Sequence, residues 1–181
     1  MYIDKRFSKY DIYIFRNLIP TDTCEKVREF IDENDKCCDR SNDNYLNTYY
    51  VTDEMKARKI SADLIEKYTN KIIDTLVDIP FTSICYLAFR KVFGETKLHK
   101  DGIDMQPDSN FVRSSSLVYS FSNNKGGVFT FPRQNVSFQL NEGDVAIFPP
   151  YWTHAHRVSA PEPDTYRYTA VAWVYHDEST K

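Results

Sequence analysis

The C-terminal half of this chain is punctuated in a way that admits few folds. After Pro80 come "FTSICYLAFRKVF", "SSSLVYSFS", "GVFTFP", "VSFQL", "DVAIFPP" and "RYTAVAWVY", short runs rich in β-branched and aromatic residues, separated by Gly, Asn, Asp or Pro. So many runs of this length predict an all-β sandwich or barrel rather than a helical bundle or a parallel α/β sheet. Val136, Phe138 and Leu140 alternate up to a turn at 141–143, and Val145 and Ile147 alternate away from it, which reads as a hairpin. The twelve Phe and thirteen Tyr favour a sheet-rich core.

Before Pro80 the pattern is mainly helical. Residues 11–19, "DIYIFRNLI", read as a strand, after which Pro20, Thr21 and Asp22 open a helix. Asp22 and Glu25 have capping-box spacing, and Val27, Phe30 and Ile31 form the helix's apolar stripe. Residues 32–48 show neither period and read as a long loop, whose acidic, Asn-rich part at 39–47 is either solvated or a lid. From 52 to 77, Ile60, Leu64, Tyr68, Ile72, Ile73 and Leu76 recur at three- and four-residue steps until Pro80 stops the helix. The expected fold is mostly β with N-terminal helices: two amphipathic helices packed on a β-barrel or jelly roll.

With 181 residues, the chain suits a single domain over 1–181, comprising an N-terminal strand and supporting helices (1–80) and a β core (81–176). The net charge of −3 and the absence of a basic stripe argue against a nucleic-acid partner. The opening "MYIDKRFSKYDIYIF" lacks the apolar core of a signal peptide, and no run of eighteen apolar residues occurs. No membrane partner is therefore expected, and the protein reads as soluble and cytoplasmic. Cys24, Cys37, Cys38 and Cys85 lack C-x-x-C spacing and read as reduced thiols.

The chemistry begins at "LHKDGID". In a strand or its immediate exit, side chains two apart project to one side, so His99 and Asp101 can reach a common point while Lys100 faces away. Alone, the pair reads as an ordinary turn, and only the downstream signals reverse that. Downstream, "FPPYWTHAHRVSAP" supplies His154 and His156. Two imidazoles and one carboxylate on one side of an ion leave positions open, as non-haem Fe(II) oxygenases require, whereas zinc is usually enclosed more completely. Strand alternation puts Arg167, Thr169, Val171 and Trp173 on one face. An arginine fork beside a hydroxyl suits a carboxylate deep in a barrel. The plainer alternative is a sheet arginine paired to Asp164. His176 reads as solvent-facing, and Phe129, Phe131 and Trp173 as core. Tyr151 and Trp152 read as either pocket wall or packing.

Taken in order, these signals resemble the iron(II)/2-oxoglutarate-dependent dioxygenases, especially their prolyl-4-hydroxylase-like branch. That family runs H-x-D, a strand, a G-G turn, a G-D turn leading into F-P, a histidine, an arginine or lysine, and an aromatic-rich strand. Here these stand as His99-Lys100-Asp101, residues 114–121, Gly126-Gly127 leading to Phe129 and Phe131, Gly143-Asp144 leading to Phe148-Pro149, His156, Arg167 and Trp173. The resemblance covers residues 81–175, and the N-terminal elements match more loosely. It implies a double-stranded β-helix, the jelly-roll, cupin-like arrangement, with Fe(II) held by His99, Asp101 and His156. It also implies Arg167 on the distal carboxylate of 2-oxoglutarate, with Thr169 beside it. O2 would then be consumed, succinate and CO2 released and an unactivated C–H hydroxylated, with ascorbate as a candidate reductant.

Two departures accompany the resemblance. Relatives carry Tyr-x-x-Gly before H-x-D, the tyrosine helping to hold 2-oxoglutarate, where this chain has Lys91-Val92-Phe93-Gly94, leaving Tyr86 or Tyr119 as candidates. The spacing from His156 to Arg167 is also one residue longer than usual. The carboxylate of Asp101 argues against halogenation, which needs a small residue there. Trp173 occupies the place where nucleic-acid demethylases carry a second arginine. The resemblance thus implies a hydroxylase of a peptidyl residue, proline foremost, with a free amino acid or small metabolite as the alternative substrate. A peptide predicts an open groove and a small molecule a closed pocket with an additional charged clamp. A non-catalytic jelly-roll binding module is the reading from another class. The oligomeric state is not legible.

Overall fold

A computed structural model describes residues 1–34, 46–51, 54–76, 79–81, 83–85, 87–102 and 111–177. Strand β1 (Tyr2–Asp4) pairs with β2 (Tyr13–Arg16), and helix α1 (Thr21–Glu33) follows. Pro20 caps α1 in an extended conformation, with no side-chain hydrogen bond. The expected capping box is therefore not formed, and Asp22 instead makes a loose, exposed 3.9 Å pair with Lys26. Proline is tolerated at this boundary because it has no amide hydrogen to leave unpaired there. Val27, Phe30 and Ile31 are buried as expected, and burying each contributes roughly 1.5–3 kcal/mol.

Next come β3 (Leu46–Tyr50), α2 (Glu54–Leu64) and α3 (Asn70–Thr75), the two helices joined by a π-helical turn at Ile65–Thr69. The expected loop at 32–48 is thus corrected at both ends, by the last turn of α1 and by β3; residues 35–45 lie outside the described residues. The helical stripe holds, with Leu64, Tyr68 and Ile72 buried and Ile60, Ile73 and Leu76 partly so.

The rest is β: β4 (Ser83–Ile84), β5 (Ala88–His99), β6 (Phe111–Ser120), β7 (Val128–Phe131), β8 (Val136–Gln139), β9 (Val145–Phe148), β10 (His156–Val158) and β11 (Arg167–Asp177). They form one antiparallel sheet in the order β1-β2-β9-β6-β11-β5-β10-β7-β8, with β3 on β5 and β4 on β11. The inner part of β5 pairs with β11 and its end pairs with β10, so the sheet curls over there into the jelly roll. The expected hairpin across 141–143 is not formed. Instead β8 pairs with β7, while β9 joins β6 and β2 on the other wall.

Alternation along the strands separates two cores. Leu117 and Tyr119 of β6, Val145 and Ile147 of β9, and Ala170, Ala172 and Val174 of β11 face the helices. Val118, Ala146, Phe148 and Val171 face the inside of the roll with Phe129, Phe131 and Phe138. Cys24 and Cys85 are free thiols, with burial pushing Cys24 up to about 12; Cys37 and Cys38 lie outside the described residues. No described helix is long and apolar enough to cross a membrane.

A buried ion network pins the crossover before β9. Arg16 Nη1 donates to Asp144 Oδ2 at 2.5 Å, and Arg16 Nη2 lies 3.3 Å from Asp4 Oδ2. Asp144 also accepts from the amides of Asn17 and Asn141 at 3.0 and 2.8 Å. Gly143 is required in this turn, with φ +81° and only 2.3 Å between an added Cβ and the Ile19 carbonyl oxygen. Removing one partner of a buried pair leaves its charge uncompensated. Arg16→Met is therefore expected to lower the urea-unfolding free energy by roughly 3–5 kcal/mol. Arg6, with Arg16 adding, holds the Asp4 carboxyl down to about 2. Its contribution is present above the unfolded carboxyl value and is lost as pH falls toward 2. Unfolding curves from pH 5 downward should show this loss in wild type.

Candidate metal centre

The end of β5 carries the first two candidate ligands. Its partner β10 opposes Val158 to Thr96 and His156 to His99, two steps against three, so a bulge lies between the pairs. Arg90, Val92 and Thr96 face the cleft, and the bulge shifts the phase so that His99 and then Asp101 join them, with exposed Leu98 left outside. His156 opens β10 after a short 3-10 turn, directly opposite His99.

His99, Asp101 and His156 each offer one donor atom, and these atoms lie within 4.8 Å of one another. His99 Nδ1 donates to the Lys97 carbonyl at 2.8 Å, and His156 Nδ1 to the His154 carbonyl at 3.1 Å. A carbonyl only accepts, so each Nδ1 carries the hydrogen and each Nε2 is left as a lone-pair donor. The Asp101 backbone is held from behind, where Arg113 donates to its carbonyl and Gly102 N donates to Pro150 O at 3.0 Å. Arg113 is itself buried, stacked 4.1 Å over the Trp173 ring.

The three groups differ in their proton affinity. Burial would raise the Asp101 carboxyl, but His99, His156 and the nearby Ser116 hydroxyl outweigh it and hold the pKa down to about 2. Burial lowers His156 to about 4, which keeps it neutral and ready to ligate. Burial also acts to lower His99, but hydrogen bonds to Asp101 and the Lys97 carbonyl prevail, and its pKa is raised. His99 Nε2 lies 3.5 Å from Asp101 Oδ1.

Arg167 and Thr169, both 7% exposed, lie further along the same cleft. Burial, then the charge of Arg90, pushes Arg167 down to about 10, and its Nε has no hydrogen-bond partner among the described residues. It forms no ion pair with Asp164 or any other described carboxylate. Gly127 packs against it so closely that an added Cβ would fall 2.4 Å from the Arg167 Cδ. A buried guanidinium without an anion is costly, and a cleft that holds one is prepared for a carboxylate.

Other expectations need correcting. Tyr119 faces the helical layer rather than the cleft, fully buried and bonded to Thr69 Oγ1 at 2.5 Å. Tyr119 lies opposite Ala170 in the sheet, one step out of phase with cleft-facing Thr169 and Val118. Tyr86 lies outside the described residues. Lys91, at the tyrosine position of Tyr-x-x-Gly, points outward and pairs with Asp32 at 2.7 Å. His154 needs no correction as a non-ligand: it bonds to a neighbour, the Tyr10 carbonyl at 2.7 Å, and is not among the three converging donors. Trp152 is 61% exposed beneath the Arg133 guanidinium, so it is neither pocket wall nor core. His176 is half-buried on β11 rather than freely solvated. Arg90, Thr96 and Arg113 escaped the sequence reading. Strand alternation from Val92 was the available signal for Arg90, but nothing in sequence places Arg113 against Asp101.

The donor set suits a divalent first-row ion. It offers two imidazoles and a carboxylate on one side, fewer ligands than a closed zinc site. Because a metal competes with a proton for His99 Nε2, affinity is expected to fall as pH drops through the raised His99 pKa. Mn(II) titrations in buffers of different ionisation enthalpy should report proton release on binding. An affinity constant flat between roughly pH 6 and 8 would argue against His99 as a ligand.

No protein-family model matches the sequence, and no curated protein matches it by sequence. Solved structures do match. A viral collagen prolyl hydroxylase from Paramecium bursaria Chlorella virus-1, in a 2-oxoglutarate complex, is 12% identical with a TM-score of 0.68, covering 91% of this chain and 95% of that one. A Pseudomonas putida prolyl-4-hydroxylase is 11% identical with a TM-score of 0.68, covering 94% and 95%. A Trichoplax adhaerens prolyl hydroxylase, bound to a fragment of the hypoxia inducible factor oxygen degradation domain, is 15% identical with a TM-score of 0.70, covering 97% and 87%. At such identities the likeness concerns architecture: this chain has the jelly-roll fold on which these prolyl hydroxylases are built.

Proposed function

We propose that the whole chain acts as one Fe(II)- and 2-oxoglutarate-dependent dioxygenase domain that hydroxylates an unactivated C–H, with a peptidyl prolyl residue as the first candidate. The reading is carried by one juxtaposition: three converging donors on His99, Asp101 and His156 share a cleft with a buried arginine that has no described anion partner. The fold neighbours support it, and the peptide bound by the Trichoplax enzyme supports a peptide substrate.

In this reading Fe(II) and 2-oxoglutarate supply the oxidative chemistry, decarboxylation to succinate and CO2 coupled to C–H hydroxylation. His99 and His156 present their Nε2 atoms to the ion, each fixed by a carbonyl behind it. Asp101 brings the only negative charge, its backbone clamped by Arg113. Arg167 and Thr169 receive the distal carboxylate, and Gly127 gives the guanidinium its room. Val118, Phe129, Val158 and Val171 make the walls apolar, which strengthens these polar contacts by excluding water.

Succinate release in the presence of Fe(II), ascorbate, O2 and 2-oxoglutarate is the direct assay, with peptides and free amino acids as substrates. His99→Ala and Asp101→Ala are expected to abolish turnover and weaken metal binding. Arg167→Ala is expected to raise the 2-oxoglutarate concentration for half-maximal turnover roughly ten- to a hundredfold, as loss of a charge-assisted contact predicts, while metal binding stays near wild type. Succinate never exceeding that of His99→Ala, with any substrate, would leave the non-catalytic binding module as the better reading.

A further inference from the structure

Arg90 is a charged residue of the cleft that the chemistry above leaves without a task. It stands on β5, half-buried, and lines the cleft together with Val92 and Thr96. Register puts it opposite Thr169, while Arg167 lies opposite Val92. Arg90 and Arg167 are therefore diagonal neighbours on one face of an antiparallel pair, a spacing of roughly 7–8 Å that long side chains can bridge. Arg90, Arg167 and His99 line the same cleft, so Arg90 shares one space with the second arginine and with the donor cluster. Two arginines that line one cleft can both donate to an anion entering it, and each such contact is charge-assisted.

We propose that Arg90 is a second arginine of the co-substrate site, so that the distal carboxylate of the 2-oxo diacid is received between Arg90 and Arg167, with Thr169 on the wall between them. The inference rests on the oxygenase reading and adds to it a specificity device. A single arginine anchors one carboxylate, whereas two make the cleft strongly selective for a diacid over a 2-oxo monoacid. Lys91 cannot share this task, because it projects from the opposite face of β5 toward Asp32.

The test is calorimetric binding to the Mn(II)-loaded full chain, with 2-oxoglutarate and 2-oxobutyrate as probes, and thermal melting to check each variant's fold. Wild type is expected to bind 2-oxoglutarate far more tightly than 2-oxobutyrate. Arg90→Met is expected to weaken 2-oxoglutarate at least tenfold, to leave 2-oxobutyrate and Mn(II) unchanged, and to lose less when the substitution is Arg90→Lys. Unchanged 2-oxoglutarate binding in a folded Arg90→Met would overturn the inference and leave the oxygenase reading standing. An equal loss for both acids would overturn it too, placing Arg90 at the metal-chelating end. Absence of 2-oxoglutarate binding in wild type would overturn the oxygenase reading, and this inference with it.

Discussion

The structure depends on a single strand with two allegiances. Strand β5 gives its first half to β11 and its last residues to β10, so the sheet must turn over along its length. Residues 93–95 between the two pair with neither strand, and the change of partner there turns the sheet around the space where the candidate site lies. The bulge between Thr96 and His99 belongs to the same event. A strand that changes partners while curling accommodates an extra residue, and here that residue decides which side chains face inward. A regular ladder would have put Leu98 into the cleft and His99 on the surface.

Around this corner the charges are arranged by burial. His156 is neutral, Asp101 ionised and Arg167 lowered but cationic, and each state follows from enclosure acting with or against a named neighbour. An arginine and a carboxylate in one cleft would ordinarily pair. Here Arg113 grips the Asp101 backbone from outside the donor cluster, and Arg167 stays at the far end. The separation keeps the carboxylate available to an ion and the guanidinium available to an acid.

Much of this was legible in the sequence because it depends on local periodicity. Residues two apart on a strand share a face, which was enough to join His99 to Asp101 and Arg167 to Thr169 and to make Phe129 and Phe131 core. Tyr119 failed by the same rule: once Val118 faces inward, its neighbour faces the helices, and only the register against Ala170 reveals which it is. The hairpin at 141–143 failed because alternation describes faces and not partners; Arg16, distant in sequence, ties that turn to β2. Arg113 illustrates the remainder. Its contact with Asp101 crosses residues 103–110, and no sequence period connects them.

The bond between Tyr119 and Thr69 has a wider meaning than its two atoms. Thr69 closes the π-helical turn, where one additional residue per turn widens the helix, and Tyr119 stands back to back with cleft-lining Val118. The helical layer is thus keyed into the strand that forms one wall of the cavity. A change at Thr69 therefore reaches the cavity wall through Tyr119 while every residue inside the cavity stays untouched. In such an architecture, tuning for a different guest can be written in the outer shell.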